Sequence, residues 1–270
     1  AGGRRRGRRR RAGQGRRCSS RRLGGRHDRG QGDPRLTLYI LYTNDLHNQV
    51  APLSRVGELK QADSLLLDGG DATGGSNTAF RWEEPVLHWM RRLGYAAMAM
   101  GNREFHYWRW VHRWREQERE FPLLACNLED LRDHRTCFRP WVSVQRGGMR
   151  LALVGTTPVQ YPAGSFWERR TGFRFLDPFT CLPPLVEELR AGHDGVFLLS
   201  HGGLEHDLKL ADRGLDVDLI LSAHSHDLTP EPVYRGTTAI VQTGSHGRYL
   251  AEMEWEPGRT RLGWTLHATA

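Results

Sequence analysis

The sequence predicts an α/β protein with largely parallel strand pairing, and three observations predict it. Apolar runs of strand length alternate with stretches of helical periodicity. Five of those runs each stop at a short polar loop, and the later segments alternate apolar and polar residues as half-solvated strands do. Leu36 to Thr43 is the first run, ended by Asn44-Asp45, and Ser64 to Leu67 runs into Asp68-Gly69-Gly70-Asp71. Phe80 to Leu93 then sets Trp82, Val86, Met90 and Leu93 on one helical face. Ala96 to Met100 ends in Gly101-Asn102-Arg103-Glu104, followed by helical spacing over Tyr107 to Glu118 with Trp110, Val111 and Trp114. A third helical pattern covers Leu182 to Leu189. Gly195 to Leu199 leads into Ser200-His201-Gly202-Gly203, and Val217 to Leu221 into Ser222-Ala223-His224-Ser225-His226. Met149 to Gly155, Pro232 to Val241 and Tyr249 to Thr265 read as antiparallel and are expected to form a second sheet.

Charge looks at first like a nucleic-acid signal: 39 Lys+Arg against 31 Asp+Glu give +8 over 270 residues. Its location says otherwise. Residues 1–35 hold 14 Arg and two acids, a balance of +12, so residues 36–270 hold 25 basic and 29 acidic groups, a balance of −4. Residues 1–35 carry one Leu and no aromatic ring, too little apolar surface to offset chain entropy, and read as a disordered Arg/Gly-rich tail. Residues 36–270 read as one domain. No run approaches the ~18 apolar residues of a membrane span, and no apolar stretch follows Ser20-Arg21-Arg22 as an export signal requires. Cys18, Cys126, Cys137 and Cys181 form no CxxC pair, which fits a reducing, cytoplasmic compartment.

Parallel sheets collect ligands at the carboxyl ends of their strands, where loops converge. The five polar loops supply Asp45, His47, Asp71, Asn102, His201, His224 and His226, a set of oxygen and imidazole donors without thiolate. That set suits a pair of borderline divalent ions, Mn, Fe, Co or Zn, better than Mg or Ca. Asp45-Leu46-His47 and His224-Ser225-His226 each place two donors two residues apart, on one face of an extended strand end.

These loops resemble the ordered motifs of calcineurin-like metallophosphoesterases: Tyr42-Thr43-Asn44-Asp45-Leu46-His47, Leu67-Asp68-Gly69-Gly70-Asp71, Gly101-Asn102-Arg103-Glu104-Phe105, Leu199-Ser200-His201-Gly202-Gly203 and Asp218 to His226. Val241 to Tyr249 is similar to the 5'-nucleotidase branch. The resemblance spans about residues 37–256 and implies a four-layer α/β/β/α sandwich of two mixed sheets around a two-metal centre. It assigns Asp45, His47 and His226 to one ion, Asn102, His201 and His224 to the other, and Asp71 as the bridge. It further implies hydrolysis of a small phosphorylated substrate, such as a nucleotide, by metal-activated water.

One motif departs from the family. Gly-Asn-His-Glu-Phe-Asp is the usual pattern, and here it reads Gly101-Asn102-Arg103-Glu104-Phe105-His106. Arg103 keeps a positive charge but cannot release a proton, so the expectation is that Arg103 clamps the phosphoryl oxygens while His106 protonates the leaving group. Nucleotide-acting members usually carry a further C-terminal base-stacking domain, and this chain runs only just past the catalytic one. Cyclic nucleotides or other small esters are therefore an alternative substrate class. A second alternative is a catalytically weakened protein that binds nucleic acid through its Arg tail. Trp108, Trp110, Trp114 and Tyr107 stand at helical spacing and are expected to pack in the core. His246 and Arg248 are read equally as site-lining or as plain loop residues.

Overall fold

The apolar runs pair into two six-stranded sheets in a computed structural model that describes residues 37–133 and 137–269. The tail expected over residues 1–35 lies outside the described residues. In the first sheet β1 (Leu38–Thr43), β2 (Leu65–Asp68), β3 (Ala97–Ala99) and β4 (Leu123–Leu124) run parallel. A hairpin of β13 (Tyr249–Trp255) and β14 (Gly263–Ala268) joins antiparallel beside β1. In the second sheet β7 (Met149–Thr156), β9 (Gly195–Ser200), β10 (Leu219–Ser222) and β12 (Thr238–Val241) run parallel. There β6 (Trp141–Arg146) and β11 (Val233–Arg235) are antiparallel edges. A short ribbon pairs β5 (Leu128–Asp130) with β8 (Phe173–Phe175).

Alternation along the strands builds the layers. Leu38, Ile40 and Tyr42 of β1 meet Phe197, Leu199, Leu219 and Leu221 of the other sheet in one buried cluster between the sheets. Leu41, Leu66 and Met98 face outward onto α1 (Pro52–Leu59) and α2 (Pro85–Leu93), through Leu53, Val56, Val86 and Met90. On the opposite side Val154, Val196, Leu198 and Ile220 pack on α5 (Pro178–Arg190) and α6 (Leu204–Asp212). The result is the α/β/β/α order the resemblance implied, with most parallel strands buried on both faces. α3 (Arg109–Arg119) and α4 (Phe166–Thr171) follow β3 and β7. Tyr42 donates its hydroxyl to the Ser222 carbonyl at 2.5 Å, tying β1 to β10 where both strands end. Gly155 permits a comparable closeness farther along, since a Cβ there would collide with Leu124.

Two expectations are corrected. The alternating segments do not make a separate antiparallel sheet. They are distributed over both, because alternation marks strands near a solvated edge rather than membership of one sheet, and β7 is an interior strand with a parallel neighbour. The second helix starts at Pro85, not Phe80: Pro fixes the backbone of a first helical turn but supplies no amide to a preceding one. Trp82 therefore lies outside it and is 75% exposed.

Candidate metal centre

Each predicted ligand follows a strand that ends pointing at the same edge. Asp45, His47, Asp71, His224 and His226 all take left-handed backbone, with φ of 50°, 49°, 52°, 80° and 60°. Such a conformation costs a non-glycine residue on the order of 1 kcal/mol or more, and it persists only where neighbours enforce it. Hydrogen bonds between the loops do so here. The amides of Asp45, His47 and Asn48 donate to the carbonyls of Gly70, Asp71 and Ala72 at 2.9, 2.9 and 2.7 Å.

Asn44 sets the orientation of Asp45. Its Oδ1 accepts from the Thr243 amide at 3.0 Å and its Nδ2 donates to Gly244 O at 2.7 Å and to Asp45 Oδ2 at 2.8 Å. The His224 amide also donates to Asp45 Oδ2, at 2.9 Å. With that oxygen satisfied, Asp45 Oδ1 faces three imidazole nitrogens: His226 Nε2 at 3.4 Å, His201 Nε2 at 3.9 Å and His47 Nε2 at 4.0 Å. His201 donates from Nδ1 to Gly69 O at 2.8 Å, which fixes its tautomer and turns Nε2 to Asp71 Oδ1, 3.4 Å away. Burial lowers the His201 pKa, but Asp71, Asp45 and the Gly69 carbonyl outweigh it and push it up to about 9.

The ligand atoms gather in two overlapping groups, Asp45 with His47 and His226, and Asp45 with Asp71 and His201, each within 4.8 Å. Asp45 thus belongs to both, and Asp71 to the second. The His224 ring lies 5.0 Å from that of His201. Asp45 Oδ1, Asn102 Oδ1 and His201 Nε2 are buried without hydrogen-bond partners. Leaving such a group unsatisfied costs about 1–3 kcal/mol, a cost that cations bound at these loops would remove. Oxygen and imidazole donors in this ratio suit a divalent ion.

Around this cluster stand residues the sequence left open or missed. Arg103 donates its amide to Asp71 Oδ1 at 2.8 Å and holds Nε 3.5 Å from Asp71 Oδ2, with its side chain 39% exposed. His106 is buried, accepts from the Trp108 amide through Nδ1 at 3.1 Å, and tilts against the Trp108 ring. Burial and then Arg115 push its pKa down to about 4. His246 donates its amide to Asp45 O at 2.7 Å and brings its ring within 4.7 Å of His47, so of its two readings it lines the site. Glu104 is the missed residue. Its carboxylate accepts from the amides of Gly101, Asp71 and Thr73 and from the Thr73 hydroxyl, at 3.0, 2.8, 2.9 and 2.8 Å. Its only sequence signal was its place in the Gly-Asn-Arg-Glu loop.

Two mixed sheets converging on a shared carboxylate-imidazole cluster define a metallophosphoesterase. The chain belongs to the calcineurin-like phosphoesterase family, whose model matches residues 38–228. Within it, the chain is 26% identical over 284 residues to a 5'-nucleotidase of Vibrio vulnificus, covering 85% of this chain and 51% of that protein. It is 37% identical over 225 residues to Protein UshA of Escherichia coli, covering 71% and 41%. Among solved structures, a 5'-nucleotidase precursor from Thermus thermophilus matches with a TM-score of 0.67 at 26% identity, over 86% of this chain and 54% of that one. The chain spans about half the length of the curated relatives it matches.

Proposed function

We propose that the chain is a metal-dependent phosphoester hydrolase that acts on phosphate monoesters of the 5'-nucleotide kind. The observation that carries this reading is the cluster in which Asp45 meets His47 and His226 on one side and Asp71 and His201 on the other, with Asp45 Oδ1 and His201 Nε2 3.9 Å apart and both without hydrogen-bond partners. Similarity to 5'-nucleotidases supports the substrate class. Asp45, His47 and His226 would hold one ion, and Asn102, His201 and His224 the other, with Asp71 shared. Two such ions supply positive charge for a phosphate and lower the pKa of bound water. Arg103, anchored by its amide and still part-exposed, would hold phosphoryl oxygens bidentately. Mn, Zn, Fe and Co remain the candidate ions, and nucleotide breakdown the candidate process. Among the described residues no helix is long and apolar enough to cross a membrane.

The test is a panel of nucleoside monophosphates, a cyclic nucleotide and glycerol phosphate, assayed with each metal and with chelator. Monoester hydrolysis that requires added metal is the expected result. Turnover of the cyclic diester alone would replace this reading by the diesterase one.

Proton donation is where the geometry alters the expectation. A His with its pKa near 4 is neutral at pH 7, and neutral imidazole is a poor acid. We therefore expect His106→Ala to slow a nucleoside monophosphate and p-nitrophenyl phosphate by similar factors. A loss confined to the nucleotide, on the order of 10²-fold, would restore the donor role.

A further inference from the structure

Two cysteines that stand far apart in the chain meet in the fold. Cys126 follows β4, and Cys181 lies in the first turns of α5. The Cys126 thiol donates to the Cys181 sulfur. Both side chains are part-exposed, and Cys126 packs with Phe179 against the apolar cluster that holds Leu182 of the same helix. No CxxC spacing announces this pair, because it is the fold that makes it.

Hydrogen bonds of other groups fix the meeting independently. The Cys126 amide donates to Gly155 O on β7 at 2.7 Å. Beside it the buried Asn127 donates from Nδ2 to Thr157 O at 2.8 Å and accepts the Thr157 amide at Oδ1, at 2.9 Å. The Asn127 carbonyl accepts the Leu176 amide at 2.8 Å, one residue ahead of Asp177. Asp177 caps α5: its carboxylate accepts the Phe179 amide at 3.0 Å, and its carbonyl accepts the Cys181 amide at 3.1 Å. An unbroken path of such bonds therefore leads from the neighbour of Cys126 to Cys181. The same corner supports the metal loops. Leu124 O accepts the Met100 amide at 2.9 Å just ahead of Asn102, and Thr156 O accepts the His201 amide at 3.1 Å.

The two thiols are not equivalent. The hydrogen bond from Cys126 holds the Cys181 thiol below its ordinary range, and that bond together with burial pushes the Cys126 thiol well up. Cys181 is the first to ionise, and thiolate is the attacking form.

We propose that Cys126 and Cys181 are an oxidisable dithiol of the folded protein, closed to a disulfide by exchange with a low-molecular-weight disulfide. The Cys181 thiolate attacks one sulfur of the reagent, whose S–S bond breaks. A mixed disulfide forms on Cys181, and the released thiolate takes up the proton that Cys181 lost. Cys126 then gives up its proton and attacks the Cys181 sulfur, so that the protein S–S bond forms and the second thiol leaves with that proton. Two electrons and two protons pass from the pair to the reagent. The bridge ties the chain after β4 to α5, and so clasps the scaffold beneath the Asn102 and His201 loops.

The experiment equilibrates the folded full-length chain with graded ratios of oxidised to reduced glutathione, blocks remaining thiols, maps the peptides by mass spectrometry and follows thermal unfolding of the same samples. The expected product links Cys126 to Cys181 in preference to any pairing with Cys18 or Cys137, and it melts about 5–15 °C above the reduced protein. Cys126→Ala should stop at a glutathione adduct on Cys181, and Cys181→Ser should leave Cys126 largely unreacted, with no rise in Tm for either. Mapping of wild type decides the matter even if a variant fails to fold. Glutathione adducts without the internal bridge, preferential pairing of either cysteine elsewhere, or a bridge that forms only in denaturant would overturn the proposal.

Discussion

Asp71→Asn is expected to lower metal-dependent phosphoester hydrolysis on the order of 10³-fold while leaving the fold intact. The substitution is nearly isosteric and keeps an acceptor for the Arg103 amide, so the loop geometry has reason to survive. What it removes is charge. Burial pushes the Asp71 carboxyl up, but His201, the Arg103 amide and His47 outweigh it and hold it below the ordinary carboxylate range. A group held ionised in a buried site is one whose negative charge the site is built around. Its Oδ1 faces His201 Nε2, and Asp45 is the other carboxylate in that group. With Asn at 71 a pair of divalent ions would face one carboxylate instead of two. Calorimetric titration with Mn should show at least one binding event weakened, alongside the fall in kcat/KM. Activity within tenfold of wild type would remove Asp71 from the shared position.

That prediction was available from the sequence because the ligands announce themselves locally. Asp45, Asp71, Asn102, His201 and His224 each stand one to three residues past a strand end, and strand ends are legible from continuous apolar runs. The buried parallel strands were legible for the same reason. Side-chain orientation on α3 was not. Helical spacing marked Trp110, Val111 and Trp114 as its inward stripe, whereas the structure buries Val111 together with His112, whose Nε2 donates to the His106 carbonyl at 2.8 Å, and leaves Trp110 exposed. A buried polar residue satisfied by one carbonyl leaves no periodicity to read. Asn44 and Glu104 were illegible in another way. Their partners are backbone groups and loops up to 200 residues distant, and only the folded chain brings these together.

Glu104 makes the second large effect. Glu104→Ala is expected to cost about 3 kcal/mol or more of stability, because it strands the Gly101, Asp71 and Thr73 amides and the Thr73 hydroxyl in a site with little water to replace the carboxylate. The same bonds hold the Asp71 loop against the Asn102 loop, so metal affinity should fall as well, by about 10- to 100-fold. Glu104→Gln separates charge from shape. Burial and the neighbouring Asp71 raise the Glu104 pKa, so removing its charge relieves a repulsion. Against that, Oε1 accepts from Thr73 while Oε2 accepts from the Gly101 and Asp71 amides. A Gln amide can satisfy only one of these two sides, and its NH₂ group turns donor against donor on the other. Even with the NH₂ group on the Thr73 side, where the hydroxyl can turn to accept, the Thr73 amide is left facing a donor, so Gln should fall between Glu and Ala in stability. Chemical denaturation of the three proteins, paired with Mn titration, measures both parts. If Glu104→Gln kept wild-type stability and wild-type Mn affinity, Glu104 would be filling space, not positioning Asp71.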